Sequence, residues 1–455
     1  MEIAEIRSNQ ATFFDSGKTK ALELRLDSLE RLEASIEKRE DRILSALSID
    51  LGKPGIEAYL SELYFIKSEI RLFRKKLRKW AKPKRAGAPF YHFPVRNEIR
   101  REPFGCSLII SPWNYPFQLS IAPLIAAVAG GNCAIIKPSE LAPATAEILR
   151  EIIEEAFDPR HVTVVFGGSE VSTRLLAEPV DFVFFTGSEK VGRIVGQAAG
   201  KNLAPAVLEL GGKCPVVVDA DVDLKMTANR IVSAKFFNAG QTCFAPDFVV
   251  AREEIKEELV QLIFGEISQF YSGNGKSDMA KIVNQTHYER LQKLLNGAGN
   301  SALKVGEDDP GALYFAPRVV PQPDWNSSLM QEEIFGPLLP VMTFSSEEEI
   351  IERLKARGHP LALYLFSRSS RFTGKFTEAL PSGSVGINDA GKQTSNLELP
   401  FGGVGSSGMG RYRGKFGFDS FTYQRPVSRR WFIKDVFKIQ PPYAGKLEKN
   451  RKLLK

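Results

Sequence analysis

Short runs of apolar residues alternate with longer amphipathic segments between residues 105 and 201. The apolar runs have the length of buried parallel strands and are assigned to Cys106–Ile110, Cys133–Lys137, Val162–Phe166 and Phe182–Phe185. Helices are predicted between them, one ending at Val128, one over Thr145–Ala156, a short one after Phe166 and one over Glu189–Gly200. Strands that alternate with helices in this way predict an α/β fold with a parallel, doubly wound sheet.

A second alternation begins after Lys213 and predicts a second α/β domain that carries Cys243. Its strands are expected at Pro215–Val218, Phe248–Ala251, Gly336–Phe344, Leu361–Phe366 and Ser384–Asn388. Its main helices are expected at Asp223–Phe237, Lys256–Phe270 and Ser346–Arg357. Ligands of such sheets bind beyond the carboxyl ends of the strands, so the motifs that follow Ile110, Lys137, Phe166 and Phe185 are candidate binding segments.

The first hundred residues have a different pattern of apolar and polar positions. Ala21–Leu47 and Glu57–Lys82 have the spacing of amphipathic helices, separated by a break at Gly52–Gly55. The basic residues of Arg71–Lys79 form either a solvated helix face or an anion-attracting patch. Val95–Glu102 has the pattern of an extended, polar strand.

Composition narrows the class of protein. A chain of 455 residues with 43% hydrophobic and 25% charged residues is typical of a soluble globular protein of two or three domains. The formal net charge of +7 is modest for this length and does not require a nucleic-acid partner. No apolar signal core begins the chain, and the apolar stretch Ile121–Ile136 reads as a buried helix and strand rather than a membrane span.

Cysteine and histidine usage points to a reducing compartment. The four cysteines are spread out without a CxxC pair, which favours free thiols and a cytoplasmic location over a disulfide framework. The four histidines lie far from one another and from the cysteines, so we expect no metal site.

Two segments carry candidate chemistry. Cys243, in Phe236–Pro246, follows a glycine and a polar pair, and a thiol at such a chain reversal can point into a cleft. It is either a reactive thiol, which needs a local positive field to ionise, or a buried structural cysteine. Glu209 lies between two leucines and before Gly211 and Gly212. It is either a general base with a raised pKa or a strand-end carboxylate that faces solvent.

Further motifs remove this ambiguity. Pro112–Pro116, Phe185–Ser188, Glu332–Pro337 and Pro400–Gly403 accompany the Glu209 and Cys243 segments in order. With them the chain resembles the aldehyde dehydrogenase superfamily from about residue 5 to about residue 425, and such a series of motifs is far more specific than a lone glycine pattern. Tyr115, Ala245–Asp247 and the loop Gly403–Gly410 resemble the class 3 branch.

The resemblance implies oxidation of an aldehyde to a carboxylic acid. Cys243 would be the nucleophile that forms a thiohemiacetal and then a thioester. Glu209 would activate the hydrolytic water, and Asn114 would stabilise the oxyanion together with the backbone N–H of Cys243.

The resemblance also implies NAD as the cofactor, with NADP as an alternative because class 3 members often use both. Lys137 and Glu140 would contact the adenosine ribose, where a carboxylate favours the free 2′-hydroxyl of NAD. Thr186, Gly187, Ser188 and Gly192 would lie at the pyrophosphate, where a helix begins. Glu333 would hold the nicotinamide ribose and Phe335 would pack near the ring.

Tyr115, Trp113, Phe244 and Phe401 are candidates for the substrate tunnel, although each is equally compatible with plain core packing. Asp389–Ser395 is polar where class 3 members commonly carry an apolar stretch. If this loop lines the tunnel mouth, long fatty aldehydes are disfavoured.

The predicted architecture is therefore two doubly wound parallel-sheet domains and a small oligomerisation domain. Residues 1–82 and 104–210 would bind NAD(P), residues 211–388 would carry the nucleophile, and residues 83–103 and 389–455 would form oligomerisation segments and a tail. The class 3 resemblance implies a homodimer whose shared interface is built by Val95–Glu102 and Phe416–Tyr423. The apolar and basic segment Arg429–Ile439, with the lysines after it, would pack on the partner subunit or make a peripheral membrane contact.

Two other functions remain open on the sequence. A thioester-forming enzyme that releases the acyl group to coenzyme A needs no water-activating carboxylate, so Glu209 argues against it. A non-catalytic protein that retains the fold, or a nucleic-acid binder using residues 71–85, conflicts with the presence of Asn114, Glu209 and Cys243.

Overall fold

The computed structural model describes residues 2–273, 275–299, 302–433 and 440–453. The helices, in chain order, are α1 (Ile3–Asp15), α2 (Leu22–Glu37), α3 (Glu40–Leu51), α4 (Gly55–Ala58), α5 (Phe65–Trp80), α6 (Gln118–Gly130), α7 (Pro143–Ala156), α8 (Ser169–Ala177), α9 (Glu189–Lys201), α10 (Leu224–Phe236), α11 (Lys256–Tyr271), α12 (Gly275–Asp278), α13 (Gln285–Asn296), α14 (Ser328–Gln331), α15 (Glu347–Lys355), α16 (Ser370–Ala379), α17 (Gly414–Ser420) and α18 (Lys446–Leu453). The strands are β1 (Lys84–Ala86), β2 (Val95–Pro103), β3 (Cys106–Ile110), β4 (Cys133–Lys137), β5 (Val162–Val164), β6 (Phe182–Gly187), β7 (Ala206–Leu210), β8 (Pro215–Val218), β9 (Phe248–Arg252), β10 (Leu303–Lys304), β11 (Arg318–Pro321), β12 (Leu338–Phe344), β13 (Ala362–Phe366), β14 (Ser384–Ile387), β15 (Gly408–Met409) and β16 (Thr422–Arg430).

A six-stranded sheet is built from the first half of the chain in the order β15-β7-β6-β3-β4-β5, and all its pairs are parallel except β15 with β7. Alternate residues of the strands enter two separate cores. Ile109 and Phe184 pack with α2, α5, α6 and α7, whereas Leu108 and Val183 pack with α1, α8 and α9. Helices cover both faces, which confirms the doubly wound sheet predicted from the short apolar strands.

A seven-stranded sheet follows in the order β10-β11-β12-β9-β8-β13-β14, parallel throughout except for β10. Its strands again divide between two cores. Val216 and Val249 lie in the core that includes residues of α10, α11 and α13, and Val217 and Val250 lie in the core that includes residues of α15 and α16. The predicted second α/β unit is thereby confirmed.

A third, antiparallel sheet has the order β1-β2-β16 and is mostly exposed. β16 pairs with β2 along its whole length, from Thr422 opposite Pro103 to Arg430 opposite Val95. The predicted polar strand at Val95–Glu102 is confirmed as β2, and its partner is the strand that follows α17.

Several boundaries differ from the sequence prediction. The single helix expected over residues 21–47 is two helices, α2 and α3, which meet at Arg39, where the backbone leaves helical geometry. The helix expected over residues 57–82 contains a π-helical stretch over Tyr59–Tyr64 between α4 and α5. Helix α1 and strand β7 were not predicted; β7 is a five-residue strand whose apolar run is interrupted by Glu209.

The arginines on the basic face of α5 form ion pairs within the chain. Arg71 and Arg74 pair with Glu33 at 2.9 Å and 2.5 Å, and Arg78 pairs with Glu23 at 2.7 Å. These carboxylates belong to α2, so the arginines serve helix packing, and the interpretation as a solvated, ion-paired face is favoured over an open anion patch. Across the described residues, no helix combines the length and apolar character that a bilayer crossing requires.

Candidate active site

The turn before Cys243 has an unusual backbone. After α10 ends at Phe236, three consecutive residues have positive φ: Asn238 (55°), Ala239 (54°) and Gly240 (73°). A Cβ atom on Gly240 would collide with the carbonyl oxygen of Gly336, so only glycine fits there. The turn therefore packs against the segment Glu332–Pro337, which is a separate motif in the sequence.

Hydrogen bonds tie this turn to Asn114. The Asn114 side chain donates to the Gln241 carbonyl at 3.0 Å, and the Asn238 side chain donates to the Asn114 carbonyl at 2.9 Å. The Tyr115 hydroxyl lies 2.6 Å from that of Thr242. The structure thus brings the segments around Asn114 and Cys243 together, although 129 positions separate them in the chain.

Cys243 is the least buried of the four cysteines, all of which are free thiols. Loss of water around its sulfur, with Glu333 and Glu209 nearby, raises the pKa of the Cys243 thiol to about 12, opposed by the charge of Arg413 and by a hydrogen bond from the backbone of Cys243. The positive field that a thiolate requires is therefore weak in this structure. At neutral pH the resting sulfur is protonated, and a base or a further positive charge must act before it attacks.

Glu209 lies inside β7 and is 3% exposed. Neither of its carboxylate oxygens has a hydrogen-bond partner among the described residues. Burial raises the pKa of Glu209 well above its usual range, opposed by Arg413 and Arg411. The alternative of a carboxylate that faces solvent at a strand end is wrong, because β15 pairs beside it and covers this edge of the sheet.

Glu333 is held at the other side of Cys243. Burial, followed by the charge of Asp247, raises the pKa of Glu333 to about 8. Its neighbours are fixed in place: Arg290 donates to the carbonyls of Glu333 (3.1 Å) and Ile334 (2.6 Å), and Asp247 accepts from the Ile334 N–H at 3.0 Å. Because the backbone around Glu333 is anchored, its carboxylate is positioned without a ligand.

A cavity of about 900 Å³ opens between the two large sheets, lined among others by Ser188, Gly211 and Glu333. Thr186 and Gly187 end β6, and Ser188 caps α9 by accepting from the Val191 N–H at 3.4 Å. A Cβ atom on Gly211 would strike the Glu333 carboxylate, and one on Gly192 would strike Leu210. The glycines therefore allow close packing around this cavity.

The residues at the ends of β4 and β6 and at the start of α9 fit a dinucleotide. The Thr186 hydroxyl is buried without a partner in the described structure, and the first turn of α9 offers free N–H groups to a phosphate. At the end of β4, the Lys137 ammonium lies 2.9 Å from Glu140, which presents an ammonium and a carboxylate together for ribose hydroxyls or phosphate. The donor set thus matches the pyrophosphate and riboses of NAD or NADP.

The predicted tunnel residues divide into two groups. The ring of Trp113 packs on Phe335 with 5.4 Å between centroids, on the side of the Glu333 segment. Phe244 packs on Phe401 at 6.2 Å. Tyr115 is buried with its hydroxyl on Thr242. Only Phe244, Phe401 and Tyr115 are therefore grouped by contacts around the Cys243 turn.

The polar loop Asp389–Ser395 reaches the same region. A Cβ atom on Gly391 would lie 3.6 Å from the Phe244 ring, so the loop backs this aromatic side chain. Its hydroxyl groups are used locally: Thr394 donates to the Gly391 carbonyl at 2.6 Å and Ser395 to the Lys392 carbonyl at 2.9 Å. The loop is close to the candidate tunnel, but these hydroxyls are turned onto its own backbone.

Sequence reasoning missed four charged residues next to the site. Lys53 and Glu62 form a fully buried ion pair. The Lys53 ammonium also donates to the Asn114 carbonyl at 3.2 Å, and the Glu57 carboxylate accepts from the Asn238 N–H at 2.9 Å. Arg413 is the fourth. Each is an isolated charge in a helix or loop, and no pattern in the sequence distinguishes it from a surface residue. In the described part of the chain, no cluster of three or more His, Cys, Asp or Glu side chains is arranged to hold a metal.

Comparisons with known proteins agree with this geometry. The family model of the aldehyde dehydrogenase family matches residues 3–427. The 4,4′-diaponeurosporen-aldehyde dehydrogenase of Staphylococcus aureus is 43% identical over 438 residues, covering 96% of this chain and 95% of that protein. Aldehyde dehydrogenase family 3 member H1 of Arabidopsis thaliana is 41% identical over 440 residues, covering 95% and 91%.

Solved structures extend the comparison to ligands. The substrate-bound state of Staphylococcus aureus AldH is 42% identical, with full coverage of both chains (100% of each) and a TM-score of 0.97. Betaine aldehyde dehydrogenase of S. aureus with NAD+ is 25% identical, covering 95% of this chain and 88% of that one (TM-score 0.85). Glyceraldehyde-3-phosphate dehydrogenase GapN of Methanocaldococcus jannaschii with NADP is also 25% identical, covering 94% of each chain (TM-score 0.84). The chain belongs to the aldehyde dehydrogenase family, resembles its class 3 branch, and is an NAD(P)-dependent oxidoreductase that converts an aldehyde to a carboxylic acid.

Proposed function

We propose that Cys243 attacks the carbonyl carbon of the aldehyde and that its sulfur carries the substrate as a thiohemiacetal and then as a thioester. The observation that carries this proposal is the pairing of Cys243 with Glu209. The Cys243 thiol lies within electrostatic reach of the Glu209 carboxylate, whose oxygens have no hydrogen-bond partner among the described residues, and both groups are removed from solvent. Such a pair suits a reaction that needs a nucleophile first and a base afterwards.

Glu209 is the proposed base for hydrolysis of the thioester. Burial raises its pKa, which makes the ionised carboxylate a stronger proton acceptor than an exposed glutamate. Both of its oxygens are free to accept a hydrogen bond from water. The carboxylate takes a proton from that water, the oxygen attacks the thioester carbon, and the thiol of Cys243 is released with the acid product.

Asn114 is the proposed oxyanion donor, together with the backbone N–H of Cys243. The Asn114 amide uses one N–H on the Gln241 carbonyl, and its second N–H remains for the substrate oxygen. Its backbone carbonyl accepts from Lys53 and from Asn238, so the residue is fixed from two sides. Donors that are held before the reaction stabilise the developing negative charge without reorganisation.

The cofactor is held in our proposal by residues at the edges of the two large sheets. NAD or NADP, when bound, accepts the hydride that leaves the substrate carbon. Lys137 and Glu140 would contact the adenosine ribose, the pyrophosphate would lie at the start of α9, and Glu333 and Phe335 would hold the nicotinamide end. The pyrophosphate contacts proposed from the sequence are Thr186, Gly187, Ser188 and Gly192.

The substrate is proposed to be a bulky apolar aldehyde. Phe244, Phe401 and Tyr115 surround the Cys243 turn with aromatic surface, and the hydroxyls of Thr394 and Ser395 are turned away from it. The 43%-identical relative from S. aureus is named for 4,4′-diaponeurosporen-aldehyde. The polar residues 389–395 are therefore weaker evidence against large apolar substrates than the sequence alone indicated.

Product analysis tests this function. Purified enzyme with NAD is given aldehydes of increasing chain length and aromatic size, with and without coenzyme A. We expect free acid in equal yield under both conditions, highest kcat/KM for large apolar aldehydes, and loss of turnover in Cys243→Ser, which still binds NAD. An acid yield that depends on coenzyme A, or a Ser variant with a tenth of the original turnover, contradicts the proposal.

The division of the chain follows the three sheets in this proposal. Residues 1–82 and 104–210 contain β3 to β7 and form the NAD(P)-binding domain, residues 211–388 contain β8 to β14 and form the catalytic domain, and residues 83–103 and 389–455 contain β1, β2 and β16. The one exception is β15, which joins the first sheet from the third segment.

A homodimer is proposed on the exposed third sheet. β2 lies between β1 and β16, so the long open edge belongs to β16. Of the segment Phe416–Tyr423 proposed from the sequence, Phe418 (1% exposed) and Phe421 (0% exposed) lie in the core of their own chain. We therefore assign the shared contact to the edge of β16, because an unpaired edge of nine residues invites a further strand.

Peripheral membrane contact remains a second proposal for the tail. Trp431 and Phe432 are exposed after β16, and Lys446, Lys449 and Arg451 lie on α18. Residues 434–439, which include Phe437, lie outside the described residues. Co-sedimentation tests the membrane contact: the full chain and a chain ending at residue 430 are each mixed with anionic and with neutral vesicles. Loss of binding to anionic vesicles on truncation supports the contact. Equal binding of the two chains, or no binding by either, contradicts it.

A further inference from the structure

Arg413 is a buried cation that has no hydrogen-bonded anion among the described residues. It follows Tyr412, where a bridge between Phe401 and Tyr412 closes the glycine-rich segment, and it is 4% exposed. Its Nε atom has no hydrogen-bond partner in the described structure. Removing a guanidinium from water costs free energy unless nearby charges or rings compensate for the lost hydration, so the groups around Arg413 must supply that compensation.

Aromatic rings surround the guanidinium. Its central carbon lies 4.0 Å from the centroid of Phe401, 4.8 Å from that of Phe65 and 5.6 Å from that of Tyr412. Cation–π contacts of this kind stabilise a desolvated guanidinium. Phe401 in turn packs on Phe244, which follows Cys243 directly, so the cation is joined to the Cys243 turn through two rings.

Two buried carboxylates also lie in its field. Glu69 accepts from the Gly414 N–H at 2.8 Å, while its second oxygen has no partner among the described residues. Glu209 lies on the other side: a Cβ atom on Gly402, the residue after Phe401, would be 3.0 Å from its Oε1. Arg413 opposes the burial-induced rise in the pKa of both carboxyls and of the Cys243 thiol.

We propose that Arg413 is a positioning residue of the reaction, a fixed positive charge that supports the Cys243 thiolate and the Glu209 carboxylate from behind the Phe401 wall. The proposal rests on the roles of Cys243 and Glu209 given above. The guanidinium acts through space, since Glu209 makes no hydrogen bond to it. A guanidinium keeps its charge at every pH at which the enzyme works.

The other charged groups around these side chains do not replace it. Glu333 and Glu209 face Cys243 and both disfavour the thiolate. Arg411 acts on Glu209 but donates to the carbonyls of Gly403 (2.5 Å) and Gly410 (2.7 Å). Among the groups that act on the Cys243 thiol, Arg413 supplies the positive charge.

Alkylation of Cys243 tests this directly. The neutral variants Arg413→Gln and Arg413→Met are treated with iodoacetamide at pH 8 without cofactor, and Cys243 is quantified by peptide mass. We expect a rate about threefold to tenfold lower than wild type, because a higher thiol pKa leaves less thiolate, offset in part by greater nucleophilicity. Arg413→Lys restores the charge and is expected within about twofold of wild type.

Steady-state kinetics give a second readout. In the neutral variants, loss of the cation raises the pKa of Glu209, so the rising limb of kcat against pH moves about one unit to higher pH while KM changes little. Arg411→Gln is the matched control for alkylation and is expected to leave that rate unchanged, because the positive charge that acts on the Cys243 thiol is that of Arg413.

Three outcomes overturn the inference. The first is a wild-type alkylation rate and a wild-type kcat profile in both neutral variants. The second is the same loss of alkylation rate in Arg411→Gln as in Arg413→Gln. The third is that neither neutral variant folds, which would make Arg413 a structural residue. Failure of this inference is separable from failure of the proposed function. Turnover retained in Cys243→Ser would refute the nucleophile, whereas the alkylation rate reports on the field at Cys243 in either case.

Discussion

Loss of water around acidic side chains sets their protonation in the proposed site. Burial raises the pKa of Cys243 to about 12 and that of Glu333 to about 8, and it raises the pKa of Glu209 well above its usual range. Cys243 and Glu333 are therefore protonated to a large extent near neutral pH, and burial shifts Glu209 toward its protonated form. The proposed reaction then becomes faster as pH rises, since both the nucleophile and the base are needed without their protons.

Glu209→Gln separates the two halves of the reaction. Acylation uses Cys243 and survives, so a burst of NADH close to one per active site is expected in the first turnover. Hydrolysis loses its base, and the steady-state rate is expected to fall by about 100-fold or more. Stopped-flow absorbance measures both phases, and a burst that disappears with the steady state would instead place Glu209 in activation of Cys243.

Glu69→Gln tests how burial couples to stability. Burial raises the pKa of Glu69 from 4.5 to about 7, so between these pH values the folded protein holds a proton that the unfolded chain has released. The free energy of unfolding therefore falls as pH rises through this window, by about 3 kcal/mol at most. The glutamine keeps an acceptor for the Gly414 N–H.

The loss of Tm between pH 5 and pH 8 is expected to be smaller in Glu69→Gln than in wild type. Glu154→Gln, an exposed glutamate on α7, is the control. An unchanged pH dependence in the Glu69 variant would show that this carboxyl does not titrate in the folded protein.

At the scale of elements, the candidate sites gather where strands of the six-stranded sheet end. β3 leads to Asn114, β4 ends at Lys137, and β6 ends at Gly187 before α9. Because these strands are parallel and adjacent, their carboxyl ends meet at one edge. The helix that follows β6 adds N–H groups at the same edge, which explains why the cofactor residues are far apart in sequence.

Glu140→Ser tests the end of β4. The glutamate pairs with Lys137 at 2.9 Å, and its removal frees that ammonium and removes a negative charge from the site proposed for the ribose. The ratio of kcat/KM for NADP to that for NAD is expected to rise about tenfold, a change of about 1.4 kcal/mol. Glu147→Ser, an exposed carboxylate on α7, should leave the ratio unchanged. An unaltered ratio in Glu140→Ser would remove Glu140 from cofactor selection.

At the scale of the whole molecule, two large sheets enclose the cavity and a small third sheet projects a strand edge. The site draws on segments from every part of the chain: Lys53 to Glu62, Asn114, Glu209, the Asn238–Cys243 turn, Glu333 and Phe401 to Arg413. None of these segments forms a site alone. Its integrity therefore depends on the packing of both sheets, and the third sheet is free to serve assembly.

Light scattering tests the proposed dimer, with an expected mass of about 101 kDa, twice 50.6 kDa.

Pro426 lies within β16, and proline is tolerated in a strand where its missing N–H faces outward. The N–H of Ser428, two residues on, then points to the same open edge. Ser428→Pro is expected to give folded monomers. Val427→Pro, which breaks the pairing with β2, is expected to destabilise the third sheet itself. A dimer that persists in Ser428→Pro would place the interface elsewhere.

The sequence by itself determined the α/β class and most of the strands. β3, β4 and β8 have the predicted bounds, and β6 begins where its apolar run begins, because a strand buried on both faces is continuously apolar. The long motifs around Asn114, Glu209, Cys243 and Glu333 identified the family. These features are local: each is specified by residues that are adjacent in the chain.

Only the tertiary structure decided the electrostatics of the site. The protonated state of Cys243 depends on burial and on Glu333 and Arg413, which are far from it in the chain. The buried pair of Lys53 and Glu62 lies behind Asn114, more than 50 residues away, and the Nε atom of Arg413 is buried with no hydrogen-bond partner among the described residues. A charged residue has the same appearance in a sequence whether it faces water or a carboxylate in the core. Its pKa and its cost of burial are set by the groups that folding places around it.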